Sequence, residues 1–532
     1  MTEPTKKQSF LHGAALLALA TAAVKIIGAL YKIPLQRVIG DDGFGYFSTA
    51  YQIYNVLLAI STAGLPIAMS RMVSQASTLG HYGEVRQVYK VSRVLFWILG
   101  VSGTLLMALG CKWLAKDVMM QPDAWFSILC LAPCCLLICV LSTYRGFFQG
   151  QEDMRPTSVS QVLEAFVKLI VGLAAAFAIK KYTNSIALAA GGAILGVTVS
   201  CLASAIFLKC RIAPAYKNLP ETKESVTPFG TTVKRLLAIA VPITIGSAGL
   251  YLLSVLETKF YMGQLLNSLG MTQDTADHMK GIYNFTQTVF NMPCAFIIPI
   301  AISVLPAITA HLTRCDDEAV RSTEESAARV TGLISLPCSV GLFLLAKPVM
   351  GLLGHYSGEK LVLAANLMRV QAVTIFLYSV IQYTNAVLQA HDKAVIPVVN
   401  MLVFGAVKLV AVFVMVGNPA IGLVGAPIGT LLCYLCIGSM NLIAISKVVP
   451  QRSRLLRNLL RPLPAAVIMG AVVLGVTFVL GRVVSSNLLL CVAPIAVGGV
   501  VYVVAVVLTK AITRADCSLL PKGEKLANLL HL

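Results

Sequence analysis

The sequence predicts an all-α, multi-pass membrane protein of about 14 transmembrane helices, built as two six-helix lobes plus two further helices. Three observations predict it. Of 532 residues, 57% are hydrophobic and only 12% are charged, about half the charged share of a soluble domain; mean hydropathy is +0.81. Apolar runs recur at the ~20-residue length that carries a helix across a ~30 Å hydrocarbon core. The chain also repeats itself. "FFQGQEDMRPTSVSQVLEAFVKLIVG" (147–172) aligns without a gap on "VLQAHDKAVIPVVNMLVFGAVKLVAV" (387–412) at an offset of 240, and Pro66 and Glu84 fall on Pro306 and Glu324 at the same offset. The period-two alternation of a membrane barrel is absent.

The N-terminal run "KKQSFLHGAALLALATAAVKIIGALY" is basic, then apolar, then alanine-rich. It outruns the ~7–15 apolar residues of a signal peptide and reads as the first span. Spans follow at about 9–31, 44–70, 93–115, 122–145, 157–180 and 184–209, forming an N-lobe over 1–210. A basic, proline-containing linker at 211–234 leads to a C-lobe over 235–447, with spans at about 235–257, 280–309, 327–346, 366–390, 395–416 and 420–446. Residues 448–532 add an arginine-rich loop, spans at 462–481 and 487–509, and a tail. An even number of spans per half makes the halves parallel repeats.

The net charge of +19 follows from topology. With span-end residues counted in the adjoining connection, the even-numbered connections and both tails hold 27 of the 42 Lys and Arg, and the odd-numbered connections hold 12. The positive-inside rule then places the protein in the cytoplasmic membrane with both termini cytoplasmic. A basic balance of this origin implies no nucleic-acid partner.

The other three cations, Lys25, Lys168 and Lys408, lie within spans. Lys168 sits about 11 residues into its span, ~17 Å deep. An ion there costs roughly 2.5–3.5 kcal/mol and normally faces a cavity or pathway. Glu164, one turn earlier, is placed to pair with Lys168; in the repeat, Phe404 precedes Lys408 instead. The plainer alternative is a bundle-stabilising Glu164–Lys168 pair and a Lys25 that snorkels to the interface. Gln52, Asn55, Asn284, Gln287, Asn291, Gln382 and Asn385 line the same cavity or bond helix to helix. Pro66, Pro293, Pro299 and Pro306 mark candidate hinges or gates.

Fourteen cysteines are scattered through apolar runs. The single CxxC, Cys433–Cys436, lacks the second ligand pair of a zinc site, so no metal or cofactor is expected. The acidic clusters are Asp41–Asp42, in the turn-like "IGDDGFG", and Asp316–Asp317–Glu318 beside arginines in a cytoplasmic loop.

Two stretches, "YKIPLQRVIGDDGFGYFSTAYQIYNVLLAISTAGLPIAMSRMVSQ" and "YRGFFQGQEDMRPTSVSQVLEAFVKL", resemble the stage V sporulation protein B group. That group belongs to the multidrug/oligosaccharidyl-lipid/polysaccharide (MOP) exporter superfamily, and the similarity covers nearly the whole chain. The resemblance implies kinship with MurJ lipid II flippases and movement of an undecaprenyl-pyrophosphate-linked saccharide, such as a peptidoglycan precursor, by alternating access. It places the family's basic–x–x–Gly motif on Lys25–Gly28 and its Arg–x–x–Gly turn on Arg37–Gly40. Where MurJ proteins carry further arginines, this chain has Tyr31 beside Lys32, Leu57–Leu58, and Gln287 or Thr288. The cavity's positive charge is then redistributed to Lys168 and Lys408.

The expected function is a lipid-linked saccharide flippase, not an enzyme, in polysaccharide, cell-wall or sporulation biosynthesis. Its partners are the lipid cargo, the bilayer and cell-wall synthesis enzymes. Two rivals stand beside it. A cation-coupled multidrug exporter of the same fold would need cavity carboxylates, and Glu164 is the one at hand. A polyprenyl-dependent membrane glycosyltransferase would need a metal at one of the acidic clusters.

Overall fold

A computed structural model describes residues 4–60, 64–220, 227–448, 454–483 and 486–513. Among these residues there are helices and turns and no strands. The helices in order are α1 (Pro4–Ala59), α2 (Leu65–Thr78), α3 (Tyr82–Trp113), α4 (Trp125–Gly150), α5 (Arg155–Thr183), α6 (Ile186–Lys217), α7 (Phe229–Gly263) and α8 (Gln273–Thr313). Then come α9 (Asp317–Leu344), α10 (Ala346–Leu353), α11 (Gly358–Ala390), α12 (Val395–Val416), α13 (Gly425–Val448), α14 (Leu455–Leu460), α15 (Leu463–Val483) and α16 (Asn487–Leu508).

Helix α1 is two arms. Gly40 breaks it at φ 71°, ψ −170°, a backbone region open essentially to glycine alone. The Tyr31 and Phe47 rings meet at 5.8 Å, whereas 16 residues of straight helix would separate them by ~24 Å. The chain therefore reverses at Gly40, and the arms correspond to the first two predicted spans. Gly40→Ala is expected to cost about 1–3 kcal/mol, read as a lower unfolding temperature of the detergent-solubilised protein.

Among the described residues, ten helical segments are long and apolar enough to cross a membrane. The other four predicted spans fall on the arms of α1, on α7 and on α8. Within the second predicted span, α1 ends at Ala59 and α2 begins at Leu65, and residues 61–63 lie outside the described residues. Pro66 lies at the start of α2, not inside it, where its missing N–H costs no helical bond.

Contacts divide the chain within α8, into residues 1–284 and 285–532. In the first unit, α5 and α6 pack on one another and on α1 and α4, while α7 packs on α1, α2 and α3. A Cβ on Gly196 would lie 2.3 Å from Gly172 Cα, so α5 and α6 meet backbone to backbone through small residues, as membrane helices favour. In the second unit, α11 packs on α9 and α13, α12 on α13, and α15 on α16 and α9.

Local sequence explains several helix ends. Ser185 caps α6 by accepting from Leu188 N, and Asp316 caps α9 by accepting from Ala319 N at 3.0 Å. The second acidic cluster thus serves a helix N-terminus, with Asp317 and Glu318 in the first turn. Pro293 lies within α8, and Pro299 and Pro306 fall at positions whose side chains lie outside the described residues.

Candidate functional site

The reversal at Gly40 brings lysines and aromatics of the first unit together. Tyr31, Phe44, Phe47, Tyr51 and Tyr54 form a run of ring contacts along the arms of α1. Lys168, buried in α5, donates from Nζ to Tyr51 Oη at 3.2 Å and lies 5.6 Å from the Tyr51 ring centroid. Lys32 Nζ lies 5.3 Å from the same centroid. The two ammonium groups are close enough for their charges to oppose each other. An aromatic face partly offsets a cation's desolvation, by about 0.5–2 kcal/mol. An anion with several acceptor oxygens would relieve what remains. Tyr31 Oη donates to Ala193 O at 3.0 Å, anchoring the first arm on α6.

Glu164 does not take Lys168 as its salt-bridge partner. Arg145 Nη2 lies 2.9 Å from Glu164 Oε2, and Arg145 Nε donates to Ser160 Oγ at 3.1 Å. A guanidinium on the neighbouring helix meets a carboxylate squarely, which an i,i+4 ammonium on the same helix does less well. This pair lines a cavity of about 320 Å³ with Tyr54, Pro66, Gln149 and Gln161. Arg145→Ala is expected to cost about 1–3 kcal/mol by stranding a part-buried carboxylate. Arg145→Ala/Glu164→Ala is expected to recover part of that loss, measured as unfolding temperature.

At the other end of the unit, the polar groups tie α1 to α8. His278 Nε2 lies 2.9 Å from Asp41 Oδ2, and Nδ1 lies 3.0 Å from Asp42 Oδ1. The bonds to Asp41 and then Asp42 hold the imidazole pKa up at about 9. Gln273 donates to Met120 O at 2.8 Å and to Asp277 Oδ1 at 2.9 Å; burial pushes the Asp277 carboxyl up to about 6. Lys280, fully buried, donates to Thr49 Oγ1 at 2.6 Å, and Thr49 bonds Gln121. The "IGDDGFG" segment does hold the turn, at Gly40, but its acids face a histidine.

The second unit holds Lys408, half-buried on α12, and Gln287, half-buried on α8. Asn385 is occupied helix to helix: Asn441 Nδ2 donates to Asn385 Oδ1 at 2.8 Å and to Thr384 Oγ1 at 3.1 Å, while Asn441 Oδ1 accepts from Asn400 Nδ2 at 2.8 Å. At the 240 offset, Arg145 and Ser160 fall on Asn385 and Asn400. The repeat therefore conserves the place of a polar tie while changing its chemistry. Gln52 is likewise used, accepting from Thr258 Oγ1 at 3.0 Å.

Of the predicted residues, Lys25, Arg37 and Asn55 join Lys168 and Glu164 in the first unit; Lys25 and Arg37 are exposed and Asn55 is half-buried. Lys168 and Glu164 lie at separate features, the tyrosine face and the cavity. Lys32, Arg145, His278 and Lys280 escaped the sequence reading because each sits at a span end, where a charge looks solvated.

A family model described as "Polysaccharide biosynthesis protein" matches residues 10–312. The chain belongs to this family. Among curated relatives, Bacillus subtilis (strain 168) stage V sporulation protein B is 26% identical over 449 residues, 84% of this chain and 85% of that one. The lipid II flippase MurJ of the same organism is 25% identical, covering 92% and 94%. A solved lipid II flippase MurJ in an inward closed conformation shares the fold at TM-score 0.64 and 12% identity, covering 93% and 98%. An inward-facing multidrug resistance MATE transporter of the MOP superfamily matches at TM-score 0.64 and 15% identity, covering 81% and 94%. The protein is a multi-pass membrane protein with the MOP fold.

Proposed function

We propose that this protein is a flippase that moves an undecaprenyl-pyrophosphate-linked saccharide from the inner to the outer leaflet of the cytoplasmic membrane, with both termini cytoplasmic. The observation that carries the reading is the convergence of Lys32 and Lys168 on Tyr51. Two ammonium groups on one aromatic face suit a diphosphate better than a cation or a neutral sugar. Lysine offers phosphate a point charge with three donors. Lys408 repeats Lys168 in the second half and is assigned the same cargo. The two halves, as lobes over 1–210 and 235–447, alternate access, with Pro66, Pro293, Pro299 and Pro306 as hinge positions. The relatives named as flippase and sporulation proteins support cargo of this class.

The cation-coupled exporter is disfavoured by one contact. Glu164, the carboxylate it would use, is engaged by Arg145 at 2.9 Å.

The test is a vesicle assay. Purified protein in liposomes is given a fluorescent undecaprenyl-pyrophosphate disaccharide, and a membrane-impermeant quencher reports the outer leaflet. Protein-dependent exchange between leaflets is expected. Exchange equal to protein-free vesicles, together with uptake of a cationic dye, would overturn the reading.

A further inference from the structure

The joint between α1 and α8 is not used by the proposed cargo site, yet it gathers an ion pair and several side-chain hydrogen bonds. It is also tight. A Cβ on Gly281 would lie 1.9 Å from Asp41 O, and one on Gly45 would lie 3.2 Å from Asp277 O. The chain reverses at Gly40 immediately before Asp41, so both carboxylates start the second arm of α1. His278 stands on the first turns of α8, which continues past Asn284 into the second unit. By the span order, this end faces outward.

We infer that Asp41, Asp42 and His278 form an externally facing proton site, and that the bound proton closes a clasp, within the first unit, between the start of α8 and the turn of α1. The geometry carries the point. Each ring nitrogen faces a carboxylate oxygen, at 2.9 and 3.0 Å. Nδ1 hydrogen-bonds Asp42 Oδ1, whereas Nε2 meets Asp41 Oδ2 as an ion-pair contact without hydrogen-bond alignment; a neutral imidazole would turn one lone pair on a carboxylate, and only the imidazolium attracts both. Losing the proton leaves Asp41 and Asp42 as adjacent like charges facing a neutral ring with a single N–H, although the Gln36 amide still donates to Asp41 Oδ1. The other charged groups around the joint are Asp274, Asp277 and Lys280 on α8 itself, Asp123 in the turn before α4, and Lys180 of α5, which donates to Val38 O; Asp123 bonds Tyr46 of α1 at 3.4 Å.

The sign of the linkage is fixed by the imidazole. Its pKa rises from 6.5 to about 9 when the clasp is made. The proton's contribution to closure is then fully present below 6.5 and is lost as pH rises through about 9. Between those values the ratio of closed to open falls by up to about tenfold per pH unit. External protons therefore favour closure, and opening releases one proton to the outside. A role in resetting the transporter rests on the alternating-access reading above; the proton site does not.

The test is hydrogen exchange of the full chain in lipid nanodiscs from pH 6 to 10, corrected for intrinsic rates and followed by mass spectrometry without cargo. Protection of 36–49 and 273–281 is expected to hold up to pH 6.5 and then to fall by up to about tenfold per unit. His278→Gln is expected to give low protection without that pH dependence, and His278→Lys to stay protected through pH 9. Segment 364–388 of α11 serves as the folding control and should keep its protection in every variant. A wild-type profile that His278→Gln shares would overturn the proton site, as would loss of protection in His278→Lys at the same pH as wild type. Because no cargo is present, failure here leaves the vesicle assay untouched, and failure there leaves this profile untouched.

Discussion

Replacing Lys32 and Lys168 together by alanine is expected to abolish measurable cargo binding while the protein still inserts in the membrane. A hydrogen bond from an ammonium to an anionic oxygen contributes about 1.5–3 kcal/mol, roughly ten- to hundredfold in affinity per lysine. Lys168→Ala alone is expected to lose about one such factor, and Lys408→Ala to reduce transport in the same sense. Insertion should survive because Lys168 is a burden to the membrane helix, costing roughly 2.5–3.5 kcal/mol at mid-depth. Removing the charge makes α5 easier to insert. A substitution that weakens binding while easing insertion separates a cargo role from a structural one, and membrane yield beside a vesicle assay reads both. Wild-type transport in the double variant would remove both lysines from the site.

The second large effect belongs to Gly281→Ala. The new Cβ would sit 1.9 Å from the Asp41 carbonyl oxygen, a backbone atom that cannot swing aside as a side chain would. Overpacking of this kind costs about 1–3 kcal/mol, and here it falls on the contact between α1 and the start of α8. The clasped population should then drop roughly 5- to 150-fold, with the fold of each unit preserved. Faster hydrogen exchange at 36–49 and slower transport, with unchanged protection in α11, is the expected pattern. Unchanged exchange at 36–49 would mean that α1 and α8 do not need this close approach.

The architecture was legible in the sequence wherever apolar length and repetition decide it. Long apolar runs have one low-energy solution in a bilayer, and the 240-residue offset marks equivalent ties such as Arg145–Ser160 and the Asn385–Asn441–Asn400 network. Lys168 was legible because a cation amid valines and leucines is costly unless it meets a partner or faces a pathway. Its partner was not. Tyr51 lies 117 residues away, and the reversal at Gly40 that brings Lys32 to the same ring is a backbone event with no apolar signature. Glu164 was assigned to Lys168 because i,i+4 neighbours are visible along a helix, while Arg145 comes from the packing of α4 near α5. His278 and Lys280 stand in the polar run "TQDTADHMKG", where charges read as solvated until α8 docks and buries them.

The most direct test of the cargo claim is native mass spectrometry of the protein purified in mild detergent, comparing wild type with the Lys25, Lys32, Lys168 and Lys408 alanine variants. The account predicts a retained undecaprenyl-pyrophosphate saccharide on the wild type, weakened most by the changes at Lys32 and Lys168. A wild-type protein that carries no pyrophosphate lipid and instead binds cationic dyes would contradict it, and would make Glu164 the residue around which the function is rebuilt.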